Sequence, residues 1–547
     1  MKRTILGLLA AIAVTPLLAA TYYVRSSGSS PAEPYDSWET AASDIATAVA
    51  AATSKNDTIL VAPGTYHVSS TIVVSDQDLR KNLKIKSADM TTGEEDPENT
   101  ILDGGGTTAI IELNTQYASV SGFTFANGYK HSDSYNYAAP GGAAVRMGAN
   151  GVSVSNCIFR SNRSVNMIGT CIYGISIIES RIADCVFNCN TQEVTVADSL
   201  VRGSAIYLSA AASEKYYSKI SGCKFSDNVG SGPRAQGSTV CLPGGCTVID
   251  NCNFLTNYFT QTEVKSNEGT FMYFGDNTTM KNSYISSIAY ANKLGGQHGG
   301  TLMRVMAGFA CSDCRFNSIE EQAGSMMYGT ISISGDSASF TRCEFTGNAL
   351  NGRGLLWLKS KGDLLLRNCL FRGNTQSFGA QYGIIGQINS TGTTGISVEN
   401  CTFVDNTAGV TFRFEGTSTG VNYLSNSIFT TPVSAGVTTV ASNCCMTALL
   451  NGPNDSGNFT VESVGGLSGL KFVDAANGDY RLQERSPLRE AGTMLSWMTS
   501  DATDLDGNLR VVSKFGKPLS RDPSALPDIG CYECGIASLQ GMTIIFR

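Results

Sequence analysis

Thiols are the groups in this 547-residue chain best able to do chemistry, and eight of its seventeen cysteines recur in one phrase. Cys157, Cys185, Cys223, Cys252, Cys343, Cys369 and Cys401 each open a Cys-x-Phe-x-x-Asn sequence, and Cys314 opens a copy with Ile319 at the asparagine. Closely paired cysteines ligate zinc, and cysteines of exported chains form disulfides. A thiol that returns singly, with polar flanks and an aromatic two positions on, reads instead as an inward-facing small hydrophobe, stacked on its repeats. Cys241 with Cys246, Cys444 with Cys445 and Cys531 with Cys534 are close pairs in turn-rich sequence; the last, without a second ligand pair, reads as a local disulfide or two free thiols rather than a metal site. Asp504-Leu-Asp506-Gly507-Asn508 begins like a calcium loop, but its glycine comes too early and Phe515 stands where the closing glutamate belongs, so it reads as a turn. No metal and no cofactor is expected.

The elements that hold these residues follow from the repeat. Degraded copies carry Phe123, Ser283 or Ser427 in the cysteine slot, and eleven copies from position 123 to 427 give a mean period of about 30 residues. A second phrase, a glycine followed by an extended run, recurs between them at Gly142, Gly169, Gly203, Gly237, Gly269, Gly300, Gly329, Gly354, Gly383 and Gly409. Several short extended segments in so few residues, with no helix between, cannot form βαβ units. They can form one turn of a parallel β-helix, with like residues stacked at about 4.8 Å. Phenylalanine then fills the core, asparagine bonds along the axis at a bend, and glycine makes a sharp turn. The expected fold is all-β, a solenoid of about twelve coils over residues 58–430.

Composition supports a single rod. Glycine is abundant at 58 residues, only 16 % of residues are charged, and the formal charge of −7 favours neither nucleic acid nor an anionic membrane. Residues 1–20 have the basic start, short apolar run and small residues of a secretory signal peptide. Residues 21–57 read as a strand and a helix over 38–53, started by Asp36 or Ser37, that caps the first coil; residues 431–547 read as the end of the β-helix and an irregular cap. No later apolar run is long enough for a membrane-spanning helix.

The paired phrases resemble the repeats of chlamydial polymorphic outer-membrane proteins, within the pectin-lyase-like superfamily of right-handed parallel β-helices. TYYVRSSG near the start, and DLDGNLRVV with DIGCYE near the end, are similar to the boundaries of secreted bacterial β-helix proteins. The resemblance implies a right-handed coil and an exported, extracellular, surface or periplasmic location. The chain departs from it by lacking barrel-like strands after Phe429, and neither the calcium-ligand set of pectate lyases nor the aspartate and histidine motif of polygalacturonases is present.

Function in a solenoid lies where repeats vary. The connections between asparagine and the next glycine vary most, and they carry Tyr129, His131, Asp133 and Tyr135, then Arg202, then Lys293 and His298. Aromatic rings beside polar groups suit sugars, so these seven are the candidate ligand-binding residues, with a polysaccharide or cell-surface glycan as partner. No spacing selects a catalytic set. Two readings follow: a non-catalytic adhesin-like or glycan-binding module, and a polysaccharide lyase or glycoside hydrolase on the loop edge.

Overall fold

The computed structural model describes residues 19–75, 81–135, 141–210, 217–263, 265–286, 289–291, 298–321, 329–359, 362–377, 379, 382–388, 395–415, 420–434, 439–450, 452–512 and 524–534. The chain winds as a parallel β-helix. Two sheets of fifteen strands and one of twelve run along it, and a shorter six-stranded sheet lines one corner. The expected twelve coils match the twelve-stranded sheet, which carries the glycine phrase. The other two walls run further because the ends are built with fewer walls: Thr21–Val24 joins the first sheet ahead of the first glycine strand, and Thr439–Ser442 continues it beyond the last.

Each coil follows from the two phrases. A first-sheet strand ends at a residue in the left-handed conformation, such as Asn156, Asn251 or Asn400, directly before the cysteine. The phenylalanine strand follows, a second left-handed residue turns the chain, and the asparagine sits inside that bend. After the loop, glycine takes a positive φ where a side chain has no room: a β-carbon on Gly203 would lie 2.4 Å from the Ile206 carbonyl oxygen.

Stacking gives the core its ladders. Phe125, Phe159, Phe187, Phe225 and Phe254 pair in register, Ile285 bridges the gap, and Phe316, Phe345, Phe371, Phe403 and Phe429 continue. Neighbouring rings stack with centroids 4.4 to 5.1 Å apart, the separation that strand spacing imposes. The asparagines form a second ladder. Asn228 Nδ2 donates to the Phe187 carbonyl at 2.9 Å and to Asn257 Oδ1 at 3.0 Å, while its Oδ1 accepts from the Asn190 amide groups. The cysteines of the repeat are buried and free, each thiol turned to the carbonyl two residues back, at 3.0 Å for Cys157 and 3.1 Å for Cys185. The three close pairs are free thiols too. Burial pushes Cys241, Cys444 and Cys445 up to about 12, so these thiols stay protonated.

Both ends are covered. The helix at the start, α1 (Ile45–Ala51), is shorter than the 38–53 expected and is capped by Asp44, which accepts from the Thr47 amide at 2.8 Å, not by Asp36 or Ser37. Ser37 instead bonds Thr40, and Trp38 packs edge-on against Tyr23 at 4.7 Å. Ile45, Ala48 and Val49 of α1 lie buried over the first coil. Among the described residues no helix is long and apolar enough to cross a membrane.

At the other end the chain folds back along the last coils. Asn368, Asn426 and Asn443 donate to carbonyls of Thr503, Thr493 and Ala491 at 2.8 to 2.9 Å, and Asn400 donates to that of Asp528 at 3.2 Å. This segment encloses a fully buried Arg510 with Asp504, Asp528 and Glu533, all nearly dry. Arg510 donates to the Asp528 carbonyl at 2.9 Å and to the Gly530 carbonyl, and lies 3.8 Å from Glu533. The turn expected at Asp504 is present, its side chain accepting from the Asp506 and Asn508 amides at 3.0 and 2.8 Å.

Two predictions follow from this packing. Asn228→Ala removes an acceptor from Asn190 and a donor from the Phe187 carbonyl; at about 1–3 kcal/mol for each buried group left unpaired, it lowers unfolding stability by at least about 2 kcal/mol in chemical denaturation. Burial raises the carboxyls of Asp504, Asp528 and Glu533 above their ordinary range, with the Asp528 charge adding to the shift on Glu533. The folded cap therefore holds protons more tightly than the unfolded chain, and its stability falls as pH rises from the ordinary carboxylate range through those raised values. Amide protection factors of residues 504–512 and 524–534, corrected for the intrinsic pH dependence of exchange, rise from pH 8 to pH 5.5, and Glu533→Gln flattens that rise.

Candidate ligand-binding furrow

The outer face of the glycine sheet presents one residue per coil, the fourth after the glycine: Arg146, Tyr173, Tyr207, Cys241, Tyr273 and Arg304. Ser332 and Trp357 continue the row. The residue just before each glycine forms a facing row, with Ile168, Arg202, Gln236, Glu268, Gly299 and Arg353. The rows meet: Ile168, Tyr173, Tyr207 and Cys241 make a buried apolar cluster with Tyr135 and Tyr273 against it. A furrow between sheet and loops thus runs along the rod, closed at Tyr173 and Tyr207 and chemically richest two coils further on.

There Glu268 pairs with Arg304 at 2.6 Å and accepts from Gln236 Nε2 at 3.2 Å. Arg304 also donates to Ser334 Oγ at 3.1 Å and lies 6.0 Å from the Tyr273 ring centre. Lys359 reaches the same place from the strand Leu356–Leu358, its Nζ 3.9 Å from where a β-carbon on Gly299 would stand. Burial and the Arg304 charge hold Lys359 below the usual lysine value, while Arg304 and Lys359 hold Glu268 below the carboxylate range against its own burial. The Arg202 charge also bears on Tyr273 and Cys241. Glu268, Arg304 and Lys359 thus meet beside the half-buried Tyr273.

The seven candidates from sequence divide. Arg202 stands in the furrow. The His298 backbone pairs with Asn267, placing it one residue from the Glu268 and Gly299 pair, and Lys293 lies outside the described residues. Tyr129 and His131 lie on the six-stranded sheet, rings near-parallel with centres 6.5 Å apart; Arg163 covers Tyr129 and bonds Glu193 at 2.5 Å. His131 comes 3.5 Å from a fully exposed Asp133. The Tyr135 hydroxyl donates to the Leu200 carbonyl and its ring packs on the Ile168 cluster, which fastens the loop. Glu321, in a dry site, accepts from Thr330 Oγ1 at 2.7 Å and the Asn351 amide at 2.8 Å.

Sequence reasoning passed over Gln236, Glu268, Tyr273, Arg304 and Lys359. Their signal is positional: the residue before each glycine and the fourth after it are the outward slots of otherwise apolar phrases. An open groove of about 700 Å³ crosses the first sheet at Ala310, Ser339, Leu365 and Tyr423. Its carboxylate, Asp363, already accepts from the Gly395 amide at 3.1 Å, and no second charged group lines it. Among the described residues no three of His, Cys, Asp and Glu are grouped to hold a metal ion.

No curated protein sequence matches the chain. Among solved structures it is similar to the pectate lyase Pel9A, at 14 % identity over 94 % of this chain and 96 % of that one, with a TM-score of 0.29. It is similar to PfbA, a surface adhesin of Streptococcus pneumoniae, at 11 % identity over 64 % and 83 % of the two chains, with a TM-score of 0.32. A third is the lacto-N-biosidase of Eubacterium ramulus, at 10 % identity over 81 % and 67 %, with a TM-score of 0.29. Likenesses of this size decide nothing about activity. A family model described as a right handed beta helix region matches residues 271–451. That match and the stacked parallel sheets agree: the chain is a right-handed parallel β-helix.

Proposed function

We propose that this chain is an exported β-helix module that binds an acidic glycan along the loop-covered furrow without cleaving it. The observation that carries this reading is the single carboxylate, Glu268, set against Arg304 and Lys359 beside Tyr273. Arg304 and Lys359 offer positive charge to a sugar carboxylate or sulfate, and the tyrosine ring an apolar face to the sugar. Glu268 orients Arg304 and, held below the carboxylate range, makes a weak base.

A second reading, a polysaccharide lyase, has one specific observation behind it. Lys359 is held below the usual lysine value by burial and by Arg304, which brings an amine toward the range of a general base. In that reading Lys359 takes the proton next to the sugar carboxylate and Arg304 steadies the charge that develops.

Incubation with a panel of acidic and neutral glycans separates them. Binding is expected for acidic chains and to weaken with salt; Arg304→Ala raises Kd about tenfold or more, about 1.4 kcal/mol, and Arg304→Lys restores part of it. Equal binding of neutral glycans, or none to any, overturns the proposal. Appearance of an unsaturated product, lost in Lys359→Met with binding kept, favours the lyase.

A further inference from the structure

We propose that Cys311 and Cys343 are a latent disulfide that staples two neighbouring coils. Their sulfurs lie 3.8 Å apart, and the Cys343 thiol is 3.7 Å from the Cys311 carbonyl. Cys311 occupies a slot that no other coil gives to cysteine. The inward residue three before the cysteine position is Val154, Ile182, Ile220, Ile249, Met280, Phe340, Leu366, Val398, Leu424 or Ala441 elsewhere. The thiol of the next coil lies over this slot, so Cys185, Cys223 and Cys252 each point at the carbonyl of such an apolar residue at 3.8 Å. Cys311 puts a second thiol into that slot, so the same placement leaves its sulfur and that of Cys343 3.8 Å apart, and Cys343 also bears on the ladder thiols Cys314 and Cys369.

Cys311 lies on the strand Phe309–Ser312 and Cys343 in the turn that follows the adjacent strand Ser337–Thr341, and the pair must close from 3.8 Å to the bond length of about 2.05 Å. The step is thiol–disulfide exchange with a low-molecular-weight disulfide. One thiolate attacks the reagent and releases a thiol; the second attacks the mixed disulfide and releases another. Two S–H bonds are lost, one S–S bond forms between Cys311 and Cys343, and the reagent leaves as two thiols. Burial pushes both thiols well above their ordinary value, so exchange waits on local opening of the coil and is slow in the closed rod. Cys314, three residues beyond Cys311 in a C-x-x-C spacing, is the competing partner and the internal control.

The test uses the full chain, folded in reductant and then held in oxidised glutathione, or refolded in its presence. Free thiols are alkylated and the non-reduced digest is read by mass spectrometry, with fragmentation to distinguish Cys311 from Cys314. A peptide joining Cys311 to Cys343, two hydrogens lighter than its parts and split by reductant, is expected, together with a higher thermal midpoint. Cys311→Ala, in a slot that Ala441 shows alanine can fill, loses the cross-link and the gain in midpoint. Free Cys311 and Cys343 after both treatments, or Cys343 joined to Cys314, overturns the proposal.

Discussion

Everything in this rod depends on the buried asparagine bend. A coil that closes on itself must turn its backbone inside the protein, where each unpaired amide or carbonyl costs about 1–3 kcal/mol. The asparagine side chain is short enough to stay in the bend and is both donor and acceptor, so each one serves the coil before and the coil after. Aspartate lacks the donor, and serine has too few groups to span two coils. The ladder tolerates gaps on one side only: where Gly128 and Ile319 replace asparagine, their backbone amides still donate to Oδ1 of Asn162 and Asn348 at 2.8 and 3.1 Å. A missing rung loses a side chain, but the next rung still satisfies its backbone.

This arrangement fixes register more firmly than apolar packing would. A slip by one residue would turn every phenylalanine outward and every asparagine out of its bend at once. It also leaves two unpaired sheet edges, the hazard of any solenoid. One end uses apolar cover from α1. The other uses the same chemistry as the interior, with Asn368, Asn400, Asn426 and Asn443 donating to a returning segment. Where that segment lies, outward positions become apolar: Leu370 and Val404 are buried under Tyr480 and Cys531. The carboxylates around Arg510 are retained despite their desolvation cost because they bond backbone amides of Glu490, Glu533 and Cys534, which shapes the cap.

The coil was legible in the sequence because it is written eleven times, and repetition separates structural residues from the rest. Phe225 or Asn228 alone would be unreadable; in register with their copies each has one role. The same repetition hid the furrow. Tyr273 and Arg304 lie inside the glycine phrases and read as wall residues, whereas the loops stand out by their varying length. The pattern that exposes them is variation of residue type at a fixed slot, not of loop length. Among the described loop candidates, Arg202 and the backbone of His298 fall beside the site. The short helix was overestimated because Trp38 and Ala42 fit helical spacing while serving a bend against Tyr23, and spacing cannot distinguish the two.

The division of labour within a coil also explains why chemistry gathers where it does. Inward slots are held by stacking and cannot vary without cost to both neighbours; outward slots of the glycine sheet lie outside the core and meet the facing loops and one another. Near Tyr173 and Tyr207 the two rows spend this freedom on burial, and the furrow closes. At Gly299 the facing row has no side chain, and the gap is filled by Lys359, reaching from two strands further along the sheet. Opposite charge at Glu268 offsets part of the cost of holding Lys359 and Arg304 near one another.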